Sequence, residues 1–329
     1  MRIVVAGCGS IGARHTMNLQ ALGVAEVLLT DPNPERLEEI ARKYDVKTVP
    51  TLAEALKRQP QGVLICTPPH LHVPLALAAV RAGCHCFIEK PIADRIEHVD
   101  ELLTEAGARG LQILVGYNLR YEPGYAAIEE LLSRNAIGRL LYVRAEVASY
   151  LADWRPWQDY RLSYTARKAM GGGIILDASH ELDLVRSLIG EVGRVFCAAE
   201  KLSELDVEVE DTAEITLWFK EGVLGSVHLD MIQRAKSRTL KLVGTEGTIT
   251  FDLNEGVLGF YSAQTKTWER KQLPLDNNQT YVAEMKHFLA CISGEELPRI
   301  TGHDGKRALQ IALAAKESSE AGFPVTLES

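Results

Sequence analysis

The stretch Gly7-Cys8-Gly9-Ser10-Ile11-Gly12 decides the fold, because it follows a compact apolar run and opens a helical pattern. Residues 3–6 have the composition of a buried strand, and residues 11–22 carry apolar side chains at helical spacing. In that setting, G-x-G-x-x-G is typical of a dinucleotide-binding loop whose phosphates lie at the N-terminus of the helix. The glycines permit the tight turn, the approach of a pyrophosphate and the close packing of the helix, in that order. We therefore expect the cofactor to contact Gly7, Gly9, Ser10, Ile11 and Gly12.

Asp31 ends the second apolar run, 19 residues after Gly12. A carboxylate at this place can accept hydrogen bonds from the ribose hydroxyls, and it would repel a 2′-phosphate. The sequence therefore predicts NAD as the cofactor, with NADP less favoured. Asp31 could also cap the helix that follows, and the two roles are compatible.

The order of apolar runs predicts an α/β protein with two domains. Up to about residue 120, short strands alternate with helices, which indicates a doubly wound parallel sheet of the Rossmann type. After that point, long strands follow one another across short glycine turns, which predicts an α+β domain with a large, mainly antiparallel open sheet. We expect the domains to comprise residues 1–120, which bind NAD, and 121–329, which bind substrate and form the oligomer.

The open sheet suggests how the chain assembles. Val223, Gly225, Val227 and Leu229 alternate with a more polar set, so one face is expected to be buried and the other to be solvated or covered by another subunit. This pattern favours a homo-dimer or homo-tetramer formed through the C-terminal sheet.

Composition excludes several classes of protein. The net charge of −8 argues against non-specific binding of nucleic acid or of a membrane surface. No apolar run approaches the roughly 20 residues that span a bilayer, and the N-terminus lacks the pattern of a signal peptide, so a cytoplasmic location is expected. The residues Cys84-His85-Cys86 are of types that bind metals, but they lie in an apolar strand whose alternate side chains face opposite ways. We therefore expect reduced, buried thiols and no metal.

Five motifs, taken together, resemble the Gfo/Idh/MocA oxidoreductases, the family of glucose–fructose oxidoreductase and inositol dehydrogenase. The similarity covers nearly the whole chain and includes the sequence Glu89-Lys90-Pro91, which matches the EKP motif of that family. The other four motifs are Gly7–Gly12 with His15, Cys66–His72, Gly116–Tyr121, and Gly171–Gly173 followed by Asp177, His180 and Asp183.

The resemblance implies a catalytic set of Lys90, Asp177 and His180. Lys90 would stabilise the alkoxide or relay the proton, His180 suits a general base, and Asp177 would orient the substrate. The family commonly has three residues between the aspartate and the histidine, whereas this chain has two. On a continuous helix the two side chains would still share a face. The shorter form resembles a sub-branch associated with nucleotide-sugar and sialic-acid-like sugar pathways.

Further candidates follow the ends of the parallel strands and a segment rich in tryptophan, tyrosine and arginine. Aromatic faces stack on sugar rings and arginine pairs with carboxylate or phosphate, so a substrate with an anionic group is favoured; packing on a neighbouring subunit is the alternative for this segment. The expected cofactor contacts are Thr67, Pro68, His72, Glu89, Lys90 and Asn118, and the expected substrate contacts are Arg120, Tyr121, Trp154, Arg155, Trp157, Tyr160 and Arg161.

These residues indicate an NAD-dependent dehydrogenase that oxidises a secondary hydroxyl of a sugar or sugar derivative. The reverse reaction, reduction of a keto sugar, uses the same chemistry. Two alternatives stay open: an NAD-dependent glycosidase of the same family, and a dinucleotide-binding regulator without catalysis. The presence of Lys90, Asp177 and His180 argues against the regulator.

Overall fold

The computed structural model describes residues 1–276 and 278–327, which form two compact units. The first unit comprises Met1–Asn118 and the described residues of 277–307, and the second comprises Leu119–Asp276 and the described residues from Ala308 onward. The first boundary lies within two residues of the expected division at residue 120. The expected division into 1–120 and 121–329 does not include the return of the chain to the first unit after residue 276.

The elements follow the expected order of alternating strands and helices, then consecutive strands. The helices are α1 (Ser10–Ala21), α2 (Pro34–Tyr44), α3 (Leu52–Leu56), α4 (His72–Arg81), α5 (Val99–Ala108), α6 (Pro123–Ser133), α7 (Leu151–Trp154), α8 (Ile174–Asp177), α9 (Ser179–Ile189), α10 (Gln279–Ile292) and α11 (Gly302–Ala321). The strands are β1 (Arg2–Ala6), β2 (Glu26–Thr30), β3 (Lys47–Thr48), β4 (Gly62–Ile65), β5 (His85–Ile88), β6 (Ile113–Val115), β7 (Leu140–Ala148), β8 (Val192–Glu200), β9 (Thr212–Phe219), β10 (Leu224–Asp230), β11 (Ser237–Gly244), β12 (Gly247–Asp252), β13 (Val257–Ser262), β14 (Thr267–Gln272) and β15 (Val325–Thr326). None of the helices in the described ranges is long and apolar enough to cross a membrane.

The first unit is a six-stranded parallel sheet in the order β3-β2-β1-β4-β5-β6. Its inner strands are buried along nearly their whole length, as expected for a parallel sheet covered by helices on both faces. The strand order reverses between β1 and β4, and in such sheets ligands bind outside the carboxyl ends of the strands at this point. The glycine loop follows β1 there, which confirms the predicted doubly wound fold.

The second unit contains a nine-stranded sheet in the order β14-β13-β12-β11-β7-β10-β9-β8-β15. All neighbouring strands are antiparallel except β7 and β10, which run parallel. This topology confirms the large, mainly antiparallel sheet.

One face of that sheet is buried and the other is half-exposed. Val223, Gly225, Val227 and Leu229 are buried, as the alternation predicted. The opposite face carries Phe196 and Leu224, which are 36% and 41% exposed in the single chain.

The main departure from the expected elements is the helix 174–189. The structure divides it into α8 and α9 at Ala178, whose φ of −93° and ψ of 26° interrupt the helix. Asp177 therefore ends one helix, and His180 lies in the first turn of the next.

Candidate active site

The glycine loop is shaped by two close contacts and one open space. A Cβ on Gly7 would lie 2.6 Å from the carbonyl oxygen of Cys66, and one on Gly12 would lie 1.9 Å from that of Gly7. A Cβ on Gly9 would meet no atom within 4 Å. Packing within the protein therefore explains Gly7 and Gly12, whereas Gly9 leaves its backbone open to a ligand.

The N-terminus of α1 presents its N–H groups at this open space. Gly9 is the N-cap and provides no side-chain hydrogen bond, and the first turn contains no acidic residue. A 12-residue helix with uncapped N–H groups favours an anion such as a pyrophosphate. The loop therefore fits a dinucleotide, with Ser10 and Ile11 at the helix start.

Asp31 joins the ends of β1 and β2. Its carboxylate oxygens accept hydrogen bonds from the backbone N–H groups of Cys8, at 2.7 Å, and Asn33, at 2.8 Å. The side chain that caps α2 is that of Asn33, which accepts from the N–H of Arg36. Asp31 is thus held at the edge of the sheet where the ribose is expected. The N-cap of α2, which Asp31 could have supplied, comes from Asn33.

The loop after β4 contains a buried hydroxyl. The Oγ1 atom of Thr67 is enclosed and makes no hydrogen bond within the described parts of the chain. His72 is fully buried, with its ring nitrogens 2.7 Å from the carbonyl oxygen of Thr67 and 2.8 Å from that of Pro91. Burial lowers the pKa of His72 and the two carbonyl contacts oppose this shift, and the ring lies between the two loops. Thr67 and Pro68 stay predicted cofactor contacts.

Glu89, Lys90 and Asn118 follow the ends of β5 and β6. The carboxylate of Glu89 is buried, with one oxygen 2.6 Å from Nε2 of His15 on α1. The side-chain amide of Asn118 donates a 2.8 Å hydrogen bond to Thr280 of the returning segment. The three residues therefore lie at the ligand-binding edge of the sheet, and Lys90 comes directly after a fixed Glu89.

In the second unit, Asp177 is held by two hydroxyl groups. Its Oδ1 accepts from the phenol of Tyr164 at 2.7 Å, and its Oδ2 accepts from Thr165 at 2.6 Å. The carboxylate is therefore oriented by the turn that precedes the glycine run, and His180 does not lie on the same helix.

The glycine run makes this arrangement possible. A Cβ on Gly172 would lie 2.4 Å and 2.6 Å from the carbonyl oxygens of Tyr164 and Thr165. Gly173 has a φ of +106°, a conformation that favours glycine. The turn can therefore lie directly against the start of α8, which brings both hydroxyls to Asp177.

Arg120 is engaged in a buried ion pair. Its Nε and Nη2 donate to the two carboxylate oxygens of Asp183, at 2.7 Å and 2.5 Å. Asp183 is fully buried and Arg120 nearly so. The pair joins the start of the second unit to α9, which gives Asp183 a structural role. The expected substrate contacts of Arg120 and Tyr121 stay predictions.

The segment 154–167 lines a small cavity of the second unit. Its arginines differ in their partners: Arg161 binds the carboxylate of Asp159, and Arg167 binds Glu208. Trp157 is 77% exposed, which leaves its ring accessible. The cavity has a volume of about 10 Å³, room for one water molecule, and is lined by Leu151, Trp154, Arg155, Gln158, Tyr160, Ser163 and Thr165.

Two residues beside His15 were missed by the sequence reasoning, because α10 lies far along the chain. Tyr281 packs edge-on against His15, with the Arg14 guanidinium 4.4 Å above its ring, and burial raises its pKa. Glu284 is buried one turn further on. An acidic residue among the buried positions of an amphipathic helix is the signal that could have identified it.

A dinucleotide-binding sheet with a lysine at its ligand-binding edge, followed by a unit with an oriented carboxylate, defines a dinucleotide-dependent oxidoreductase. The chain belongs to the Gfo/Idh/MocA family: residues 1–117 match its oxidoreductase domain with the NAD-binding Rossmann fold, and residues 125–250 match its C-terminal domain. The cofactor is therefore NAD, as Asp31 predicted.

Named relatives and solved structures extend this similarity over the whole chain. Myo-inositol 2-dehydrogenase of Thermotoga maritima is 29% identical, with 100% of this chain and 99% of that protein covered. Levoglucosan dehydrogenase, solved with NADH and levoglucosan, has a TM-score of 0.89 at 23% identity, over 100% of this chain and 99% of that one. The WlbA dehydrogenase of Bordetella pertussis, solved with NADH and UDP-GlcNAcA, has a TM-score of 0.84 at 22% identity, over 100% and 99%.

Replacing Gly9 and Gly12 separately distinguishes ligand binding from packing. Gly9→Ala is expected to fold normally and to weaken NADH binding by about tenfold or more, because its methyl group occupies open space that the pyrophosphate needs. Gly12→Ala is expected to lower the unfolding free energy by about 3 kcal/mol, because its methyl group overlaps a carbonyl oxygen. NADH fluorescence titration and urea unfolding measure the two effects. Normal NADH binding by Gly9→Ala would contradict this assignment of the loop.

Proposed function

We propose that the enzyme oxidises a secondary hydroxyl group of a sugar or sugar derivative, or reduces the corresponding keto sugar. The observation that carries this proposal is the carboxylate of Asp177, which the hydroxyls of Tyr164 and Thr165 hold in one orientation next to the aromatic and basic segment 154–167. Aromatic side chains such as Trp154 and Tyr160 stack on the apolar face of a sugar ring, and a fixed carboxylate suits its hydroxyl groups. The relatives named above support the same substrate class.

The reaction requires a hydride acceptor and a proton acceptor for one carbinol, and bound NAD supplies the first. Lys90 is assigned to the substrate hydroxyl, where its ammonium stabilises the developing alkoxide or relays the proton. His180 serves as the general base and accepts the proton. Asp177 orients the substrate, since Tyr164 and Thr165 prevent its carboxylate from rotating.

Replacing Lys90 with methionine tests this assignment. Lys90→Met should lower the turnover number roughly 100-fold to 10,000-fold while NADH still binds, because the ammonium that stabilises the alkoxide or relays its proton is lost and the cofactor loop is unchanged. The assay measures NADH absorbance with NAD and a panel of inositols, sugars, sugar acids and nucleotide-sugars. Near-wild-type turnover would contradict the role of Lys90. Cleavage of a glycoside without added NAD would instead indicate the glycosidase.

We infer that the substrate has an anionic group, as in a nucleotide-sugar or sugar acid, and that Arg155 recognises it. Arg161 and Arg167 already neutralise Asp159 and Glu208. Across residues 1–276 and 278–327, the guanidinium of Arg155 has no hydrogen-bond or ion-pair partner, although it lines the cavity. A carboxylate or phosphate can pair with its fork of N–H groups.

A pair of arginine variants tests this inference. Arg155→Met should raise the KM for an anionic substrate about tenfold to 100-fold and leave the KM for myo-inositol or another neutral sugar unchanged, because a charge-assisted pair is removed. Arg161→Met is the matched control, and its kinetics should resemble those of the wild type. Equal effects on charged and neutral substrates would exclude Arg155 as the anion-binding residue.

We also propose that the enzyme works in the cytoplasm as a homo-dimer or homo-tetramer, without nucleic-acid or membrane partners. The six cysteines are free buried thiols, which suits a reducing compartment. The exposed face of the nine-stranded sheet combines Phe196 and Leu224 with charges of both signs, among them Arg144 and Glu214. A face with these properties can pair with a second copy of itself.

Light scattering after size exclusion measures the oligomer. The wild type should elute as a dimer or tetramer, and Leu224→Glu should dissociate it, because a charge would be buried at the contact. Leu297→Glu is the control, since Leu297 is 85% exposed and lies in the first unit. A wild-type chain that is monomeric at all concentrations would refute assembly through the sheet.

A further inference from the structure

Three ionisable side chains meet in the interior of the first unit. His15 comes from α1, Glu89 follows β5, and Glu284 comes from α10; all three are buried. One nitrogen or oxygen atom from each lies within 4.8 Å of the others, and Nε2 of His15 contacts Glu89 at 2.6 Å. Two carboxyl groups and an imidazole therefore share one enclosed space, which we call the acid cluster.

Glu284 is the unusual member of the acid cluster. It is 2% exposed, and neither of its carboxylate oxygens accepts a hydrogen bond from a described residue. Phe87 and Phe288 pack edge-to-face beside the cluster, so its surroundings are largely apolar. An ionised carboxylate without a donor in such a place is strongly unfavourable.

The charged groups that face the acid cluster do not stabilise an ionised Glu284. The groups around it are Arg14 and His15 from α1, Cys66 after β4, Glu89 and Lys90 after β5, and Tyr281 from α10. Burial raises the pKa of Glu284 well above its usual range, the negative charge of Glu89 raises it further, and Arg14 opposes both. Burial also raises the pKa of Cys66, which keeps that thiol neutral. Two adjacent buried carboxyl groups share a proton more readily than both ionise.

We propose that Glu284 carries a proton in the folded enzyme and acts as a positioning residue for Glu89 and, through it, for Lys90. The protonated carboxyl group can donate a hydrogen bond, whereas an ionised one would only add acceptor oxygens beside Glu89. It also limits the cluster to one negative charge from its carboxyl groups. A second negative charge would attract the Lys90 ammonium and favour its charged form. The part that concerns Lys90 rests on the proposed function, whereas the proton on Glu284 does not.

A divalent cation is the competing occupant of the acid cluster. The three side chains could supply one nitrogen and two oxygen ligands. The 2.6 Å contact between His15 and Glu89 is the length of a hydrogen bond, and a cation between these atoms would have to break it. The geometry therefore favours a proton.

The pH dependence of thermal stability tests the proton without any substrate. A carboxyl group with a raised pKa stabilises the folded state fully below its unfolded pKa of about 4.3, and this contribution is lost as the pH rises through the folded value. Glu284→Gln has the same shape and cannot ionise. Its melting temperature should equal that of the wild type near pH 4.5 and exceed it by roughly 2–3 °C for each pH unit up to the folded pKa.

Glu255→Gln is the matched control, because Glu255 is exposed, and its difference from the wild type should not change with pH. A Glu284→Gln protein that is less stable than the wild type by a constant amount at every pH would show that Glu284 is ionised and overturn the proposal. A rise in the wild-type melting temperature on addition of MnCl2 or ZnCl2, absent in Glu284→Gln, would also overturn it in favour of a cation.

Two further measurements test the proton on Glu284 and its positioning role separately. Difference infrared spectra should contain the carbonyl band of a protonated acid at pH 7 in the wild type and lack it in Glu284→Gln, and its absence from the wild type would refute the proton. With an active sugar, Glu284→Gln should keep the wild-type pH profile of kcat/KM, whereas Glu284→Leu, which cannot donate, should shift that profile. An unshifted profile would refute the positioning role alone.

Discussion

The close contact between Gly12 and the carbonyl group of Gly7 is the constraint on which the cofactor-binding unit depends. There is no room for a side chain between them, since a Cβ would lie 1.9 Å from that oxygen. The start of α1 is therefore fixed at the end of β1, beside the point where the strand order reverses. The free N–H groups of the helix and the open backbone at Gly9 obtain their places from this contact, and Cys8 in the same loop donates to the carboxylate of Asp31.

The second unit uses glycine for a related purpose. Gly172 lets the turn that contains Tyr164 and Thr165 lie against the start of α8, and the two hydroxyls then fix Asp177. The same turn contributes Thr165 to the small cavity beside Trp154 and Arg155. The packing of this turn therefore orients the carboxylate next to the residues proposed to contact the sugar. The buried pair of Arg120 and Asp183 anchors α9, on which His180 lies.

Much of this could be predicted from the sequence. The glycine loop, Asp31, the alternating elements before residue 120 and the consecutive strands after it gave the fold class and the cofactor, because local spacing determines which side chains can share a strand face or a helix start. The prediction of one continuous helix over residues 174–189 was wrong. The break at Ala178 has no glycine or proline to mark it, and the side chain of Asp177 turns to Tyr164 and Thr165 instead of following the helical face.

The sequence by itself determined the parallel and antiparallel sheets, the dinucleotide loop and the residue types available for catalysis, since these depend on periodicity and on glycines at short range. Only the tertiary structure decided which of those residues are already engaged. The sequence does not distinguish Arg155 from three other arginines of the second unit. In the structure, those three pair with carboxylates: Arg120 with Asp183, Arg161 with Asp159, and Arg167 with Glu208. Glu284 meets His15 and Glu89 from the far end of the chain, because burial and hydrogen bonding are properties of contacts between distant segments, which spacing along the chain does not specify.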